Sequence, residues 1–130
     1  MYDLKRFQEA LNSYNHAIQL DSNYALAHFN KGIVLKELNR KEEALACYNK
    51  AIEINPDFAG AYNGKGNVLY DLNRKEEALA CYNKAIEINP NNANAHYNKG
   101  NVLKALNRKE EALACYNKAL KIDPNDAMAY

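Results

Sequence analysis

Apolar positions along the chain recur with the spacing of helices. In residues 25–38, ALAHFNKGIVLKEL, the apolar Ala27, Val34, Leu35 and Leu38 fall along one face. In residues 42–54, EEALACYNKAIEI, Ala44, Leu45, Tyr48, Ala51 and Ile52 sit at i, i+1, i+4, i+7 and i+8, the stripe of a second amphipathic helix. No segment alternates with period two, so no strand is expected. Asn39 separates the two helices. It is either the left-handed residue after the first helix or an N-cap for the second with Glu42 reaching back. Pro56 ends the second helix, because its ring fixes φ and disfavours a helical residue ahead of it. Asp57, Asn91 or Asn125 then stands where it can cap the next helix.

The unit repeats. NRKEEALACYNKAIEINP occupies 39–56 and again 73–90, and NRKEEALACYNKA returns at 107–119. Pro56, Pro90 and Pro124 are 34 residues apart, as are Cys47, Cys81 and Cys115, and Gly32, Gly66 and Gly100. Tyr14 extends the series backwards from Tyr48, Tyr82 and Tyr116. Three full units are expected at 25–58, 59–92 and 93–126. Residues 1–24 match the tail of a unit, mainly its second helix, and 127–130 (AMAY) match the opening of another. Seven substantial helices follow, Met1–Asp21 supplying the first.

A helical hairpin of 34 residues with the pattern W-x2-L-G-x2-Y, A-x3-F and P resembles the tetratricopeptide repeat. The first full unit gives His28, Lys31, Gly32, Leu35, Ala44, Tyr48 and Pro56. The next two give Tyr62, Lys65, Gly66, Leu69, Ala78, Tyr82 and Pro90, then His96, Lys99, Gly100, Leu103, Ala112, Tyr116 and Pro124. The departures are His or Tyr for the Trp, Leu for the first Tyr, and Lys31, Lys65 and Lys99 for the Leu; these lysines are expected to bury their stems. The resemblance implies an all-α, right-handed superhelical α-solenoid of antiparallel hairpins, about three and a half repeats long.

Comparison of the three first helices separates two stripes. Ala27, Lys31, Val34, Leu35 and Leu38 and their counterparts are constant and form the stripe expected to pack against neighbouring helices. Leu26/Gly60/Asn94, Phe29/Asn63/Tyr97, Ile33/Asn67/Asn101, Lys36/Tyr70/Lys104 and Glu37/Asp71/Ala105 vary and form a second stripe. In arrays similar to this one the first helices line a concave inner surface. The resemblance therefore implies a peptide-binding groove floored by Leu26, Phe29, Ile33, Asn63, Asn67, Tyr70, Asn94, Tyr97, Asn101 and Lys104, with Asn30 and Asn98 alongside. Amide side chains both donate and accept, and so suit the backbone of an extended peptide; Phe29 and Tyr97 add apolar surface. Neutral drift on a solvated face is the alternative. The two-carboxylate clamp of the family's co-chaperones needs Lys, Asn, Asn, Lys and Arg. The matching positions from the first full unit are Phe29, Ile33, Gly64, Asn94 and Asn98, and from the next unit Asn63, Asn67 and Asn98 before the array ends, which disfavours it, and the asparagines look instead like an inner ladder interrupted by Gly64.

Composition changes this picture little. Of 130 residues 48% are apolar, and 17 basic residues face 16 acidic ones for a net charge of +1. That balance disfavours a nucleic-acid surface and an electrostatic membrane anchor. No stretch reaches the roughly 20 apolar residues of a membrane span, and the N-terminus carries no secretory apolar run. Three cysteines, one per unit, do not make a disulfide framework; they read as reduced, semi-buried fillers, which points to the cytoplasm. No Cys/His pair has metal spacing, and His28 and His96 are expected to pack between their paired helices. GKGN at 64–67 lacks the setting of a phosphate loop, and Gly64 is read as a place for a ligand to approach the backbone. Glu42 and Glu43 suit a helix start. The expectation is a protein-interaction scaffold that binds a peptide, with no enzyme activity, cofactor or metal. The rival is a structural array that self-associates into a homo-oligomer through uncapped terminal helices.

Overall fold

A computed structural model describes residues 4–123. Seven helices follow one another: α1 (Leu4–Leu20), α2 (Ala25–Glu37), α3 (Lys41–Ile54), α4 (Ala59–Asp71), α5 (Lys75–Ile88), α6 (Ala93–Ala105) and α7 (Lys109–Ile122). The helices expected at 25–38 and 42–54 are α2 and α3, with one end of each moved by one residue. Among the described residues there is no strand. The start of the expected Met1–Asp21 helix, Pro124, the expected cap Asn125 and the opening of a further unit at 127–130 lie outside the described residues.

Asparagine makes each turn inside a hairpin. Asn39, Asn73 and Asn107 have φ of 60°, 62° and 62°. The Arg40 N–H donates to the Leu35 carbonyl at 2.8 Å and the Asn39 N–H to the Lys36 carbonyl at 2.9 Å. This is the Schellman ending, in which a left-handed residue past the helix lets two further N–H groups satisfy its last carbonyls. It settles the two readings of Asn39 in favour of the C-terminal one. The N-cap falls one residue later, on Arg40, Arg74 and Arg108, none of which makes a side-chain cap. Glu42 is then the second helical residue and cannot close a capping box. The third, Glu43, is held by Arg40 through Nε–Oε2 and Nη2–Oε1 contacts of 2.6 and 2.8 Å.

The loops between hairpins also differ from expectation. Asp57 and Asn91 do not cap; the N-cap positions are Tyr24, Phe58 and Asn92, and of these only Asn92 accepts a bond, from the Ala95 N–H at 3.2 Å. The chain bends earlier, at Asx turns in which Asp21, Asn55 and Asn89 accept from the N–H two residues on, at 3.0, 3.2 and 3.3 Å. Pro56 and Pro90 occupy the middle of two of these turns, where a preset φ favours the bend. The histidines belong to the same loops. His28 Nε2 lies 3.1 Å from the Ser22 carbonyl and His96 Nε2 2.9 Å from that of Pro90, tying first helices to the preceding loops rather than only filling the hairpin.

Each helix packs on the next, most extensively within the pairs α2–α3, α4–α5 and α6–α7. In addition the backbones of α2 and α4, and of α4 and α6, come close, whereas those of α3, α5 and α7 make no such approach to one another. The first helices therefore lie closer together than the second helices, which makes their row the inside of a curved stack. The constant stripe is buried as expected: Ala27, Val34 and Leu35, with Val68, Leu69, Val102 and Leu103, are core residues. Tyr48, Tyr82 and Tyr116 reach across each hairpin onto Gly32, Gly66 and Gly100. A Cβ at any of these glycines would stand 2.7–2.9 Å from the facing ring carbon, closer than packed atoms approach. Cys47, Cys81 and Cys115 are free and buried. Burial pushes their thiols up, against a smaller opposing pull from Lys31, Lys65 and Lys99, so they are weak nucleophiles.

Candidate functional site

Three concavities line the row of first helices. One of about 250 Å³ lies between α2 and α4, bounded by Phe29, Ile33, Lys36, Glu37, Gly60, Asn63, Gly64 and Asn67, with Tyr48 of α3 among its walls. A second of about 410 Å³ is bounded by Tyr70, Asn101, Lys104 and Ala105. A third of about 270 Å³ is bounded by Tyr97, Asn101, Lys104, Tyr116 and Leu120. Positions that change from one first helix to the next thus share the same hollows. They bring together Phe29, Ile33, Asn63 and Asn67 at one end and Tyr70, Tyr97, Asn101 and Lys104 at the other. Leu26, Asn30, Asn94 and Asn98 line none of the three. Leu26 and Asn94 are exposed in the first turns of their helices, while Asn98 Nδ2 donates to Asn63 Oδ1 across α4 and α6 at 3.4 Å.

Several of these side chains serve the fold as well as the groove. The Phe29 ring stands 4.8 Å from Phe58 and 5.9 Å from Tyr48, centroid to centroid, and is half-buried. Asn67 and Asn101 are not a free ladder: Tyr82 Oη donates to Asn67 Oδ1 at 2.5 Å, and Tyr116 Oη to Asn101 Oδ1 at 2.6 Å. Each keeps its amide N–H groups for other partners. Gly64 does not open the backbone to a ligand. A Cβ there would meet Tyr48 Cε1 and Cζ at 2.8 Å, so the missing side chain makes room for that ring.

The electrostatics are mild. Lys36 Nζ lies 3.8 Å from Asp71 Oδ2, a partly exposed pair joining α2 to α4. Burial pushes the Tyr48 phenol up to about 12 and raises Tyr82 and Tyr116 too, so all three hydroxyls remain donors at neutral pH. Among the described residues no three His, Cys, Asp or Glu side chains gather as for a metal ion, and no helix is long and apolar enough to cross a membrane. The arrangement offers hydrogen bonds and apolar contact.

Reading for varied positions missed Tyr48 and Tyr116, which are constant and lie on second helices. Lys36, Glu37, Gly60 and Ala105 carried the signal of variation, and their place in the groove follows from the same helical phase. Leu120 also differs, from Ile52 and Ile86, but lies on a second helix, outside the stripe compared.

Comparison with known proteins agrees with this architecture. A family model described as TPR repeat matches residues 1–39 and 66–107; models described as tetratricopeptide repeat match 25–58 and 93–126, and 47–80. No curated protein sequence matches. Among solved structures, a crystal structure of MamA superposes with a TM-score of 0.84 at 23% identity, covering 91% of this chain and 69% of that one. A second MamA crystal structure gives 0.82 at 25% identity, covering 94% and 67%. The MamA RS-1 ArsTM double mutant gives 0.83 at 20%, covering 95% and 69%. These likenesses are of fold.

Proposed function

The chain belongs to the tetratricopeptide-repeat family, and from that premise we propose that it is a protein-interaction scaffold holding an extended peptide segment of its partner along α2, α4 and α6. The observation that carries this reading is the coincidence of the three concavities with positions that differ between otherwise copied units. Packing keeps the rest of each hairpin fixed and leaves this line free to diversify. Amide and phenol groups there suit a peptide backbone, and apolar rings suit side chains. An interaction role accords with the family, whose members work mainly as scaffolds rather than as enzymes. The test is a random peptide library selected on the intact chain, followed by affinity measurement on Asn101→Ala and Lys104→Ala. Each substitution is expected to weaken the selected peptides about tenfold with helicity unchanged. Unaltered affinity in both would overturn the groove as the site.

A second reading, association of the chain with copies of itself, is favoured by the outer face of α7. Leu113 is 60% exposed, whereas Leu79, its counterpart in α5, is 9% exposed beneath α6. Leu120 is also exposed. This face has the composition of a helix-packing surface. Light scattering over a range of concentrations tests the reading, and a constant monomer mass would exclude it.

A further inference from the structure

Two copies of one helix meet different partners. Residues 41–54 and 75–88 are identical, and Tyr48 and Tyr82 are each within 2% of complete burial. The Tyr82 hydroxyl has an acceptor, Asn67, and that of Tyr116 has Asn101. In the first hairpin this asparagine is replaced by Ile33, which offers no acceptor. On the neighbouring first helix, the position that is Asn98 in the last unit is Gly64. Tyr48 Oη therefore has no hydrogen-bond partner among the described residues. It is not sealed off either, because no described buried side-chain nitrogen or oxygen lacks a partner. The hydroxyl opens on the α2–α4 concavity whose wall it helps to form. The hydroxyl lies beside Gly64 in that wall, where an added Cβ would stand 3.1 Å from Tyr48 Oη.

The rest of this pocket combines an apolar wall with the amides of Asn63 and Asn67 and two charged groups. Phe29 and Ile33, the latter 40% exposed, form one wall and Gly60 and Gly64 the other. The charged groups are Lys36 and Glu37, opposite in sign, with Lys36 already facing Asp71. Lys36 is thus already engaged, and an apolar side chain laid on Phe29 and Ile33 gives up no hydration of its own. The Tyr48 donor beside the Phe29 and Ile33 wall suits a neutral acceptor such as a main-chain carbonyl.

We propose, resting on the groove reading above, that the α2–α4 pocket is the specificity subsite of the array: it receives one uncharged apolar side chain of the bound peptide, and Tyr48 Oη donates to the adjoining main-chain carbonyl. The other two hairpins satisfy their tyrosine internally, so this pocket alone among the three fixes the register of the peptide. High phenol basicity from burial keeps the donor protonated throughout the neutral range.

The probe is the set of peptides selected from the random library on the intact chain, measured by fluorescence anisotropy. Tyr48→Phe, which keeps the ring, is expected to weaken them about fivefold, the worth of one neutral hydrogen bond. Ile33→Asn copies the arrangement of the other hairpins, giving Tyr48 an internal acceptor and removing the apolar wall, and is expected to weaken them about tenfold. Lys84→Ala, on α5, is expected to change nothing. Replacing the shared apolar residue of the peptide by alanine should shrink the difference between wild type and Ile33→Asn to about that of Tyr48→Phe, the part due to the lost hydrogen bond. Thermal melts establish that each variant is folded. If Tyr48→Phe and Ile33→Asn bind like wild type while Tyr97→Ala binds weakly, the subsite is refuted and the groove stands. If all three bind like wild type, both fall.

Discussion

Tyr48→Phe and Tyr82→Phe delete the same atom from the same sequence, yet their costs are expected to differ. In α5 the hydroxyl donates to Asn67 Oδ1, and a typical neutral hydrogen bond contributes about 0.5–1.5 kcal/mol net. Asn67 is only half-buried, so water can take over part of the lost bond, and Tyr82→Phe is expected to cost about 1 kcal/mol. In α3 the hydroxyl has no protein partner to lose, and Tyr48→Phe is expected to cost about 0 kcal/mol, within ±0.5. Backbone propensity and ring packing are matched between the two helices, so the difference isolates the facing residue, Ile33 or Asn67. The assay is urea unfolding followed by far-UV circular dichroism, with the slope checked for constancy so that midpoints report stability. Ile33→Asn supplies the missing acceptor, and in that background Tyr48→Phe should rise to about 1 kcal/mol, closing a double-mutant cycle. Equal costs for the two tyrosines in the wild-type background would refute the reasoning, as would a Tyr48→Phe cost insensitive to Ile33→Asn.

Three further outcomes are expected. Gly66→Ala places a methyl 2.7 Å from Tyr82 Cε1; overpacking of about 1–3 kcal/mol outweighs the gain of about 0.5–1 kcal/mol in helix propensity, so the midpoint falls. Gly60→Ala meets only ordinary contacts at 3.4 Å from Phe29 and Phe58 and raises stability by about 0.5 kcal/mol; denaturant titration of the pair should show opposite signs. At alkaline pH the unfolded chain loses its phenol protons near the ordinary value of 10 while Tyr48 holds its own to about 12. The tyrosine contribution to stability is therefore constant below pH 10 and is lost as pH rises from 10 towards 12, and Tyr48→Phe combined with Tyr82→Phe should make that fall shallower. Leu113→Lys, at an exposed position, should leave unfolding within about 0.5 kcal/mol of wild type while lowering any concentration-dependent mass seen by light scattering.

Much of the fold was legible because packing writes itself into periodicity. Val34, Leu35 and Tyr48 mark their helices by spacing, and the 34-residue interval of Pro56, Pro90 and Pro124 marks the hairpins. Asn39 was ambiguous for a physical reason: asparagine tolerates the left-handed region and also caps helices, and only the bond from Arg40 to Leu35 separates the two. Asp57 was misread because the Asx turn at Asn55, which takes the Asp57 N–H, carries the chain on so that the N-cap position falls on Phe58. The groove was legible as a stripe but not as chemistry. Spacing along α4 places Asn67 on the inner face; it says nothing of a tyrosine fifteen residues later arriving from α5 to take its oxygen. Gly64 misled in the same way, since the ring it admits comes from a different unit. Tyr48 was not read as part of the groove because it never varies, and what distinguishes it is the change in its surroundings.

The central claim is that the inner row of first helices is the surface that grips a partner. The most direct measurement is amide chemical-shift mapping of the intact chain with a library-selected peptide. Shifts are expected to concentrate in α2, α4 and α6, strongest at Asn63 and Gly64 and at Asn101 and Lys104. Shifts gathered instead on α3 and α5, or confined to the outer face of α7 around Leu113, would contradict it.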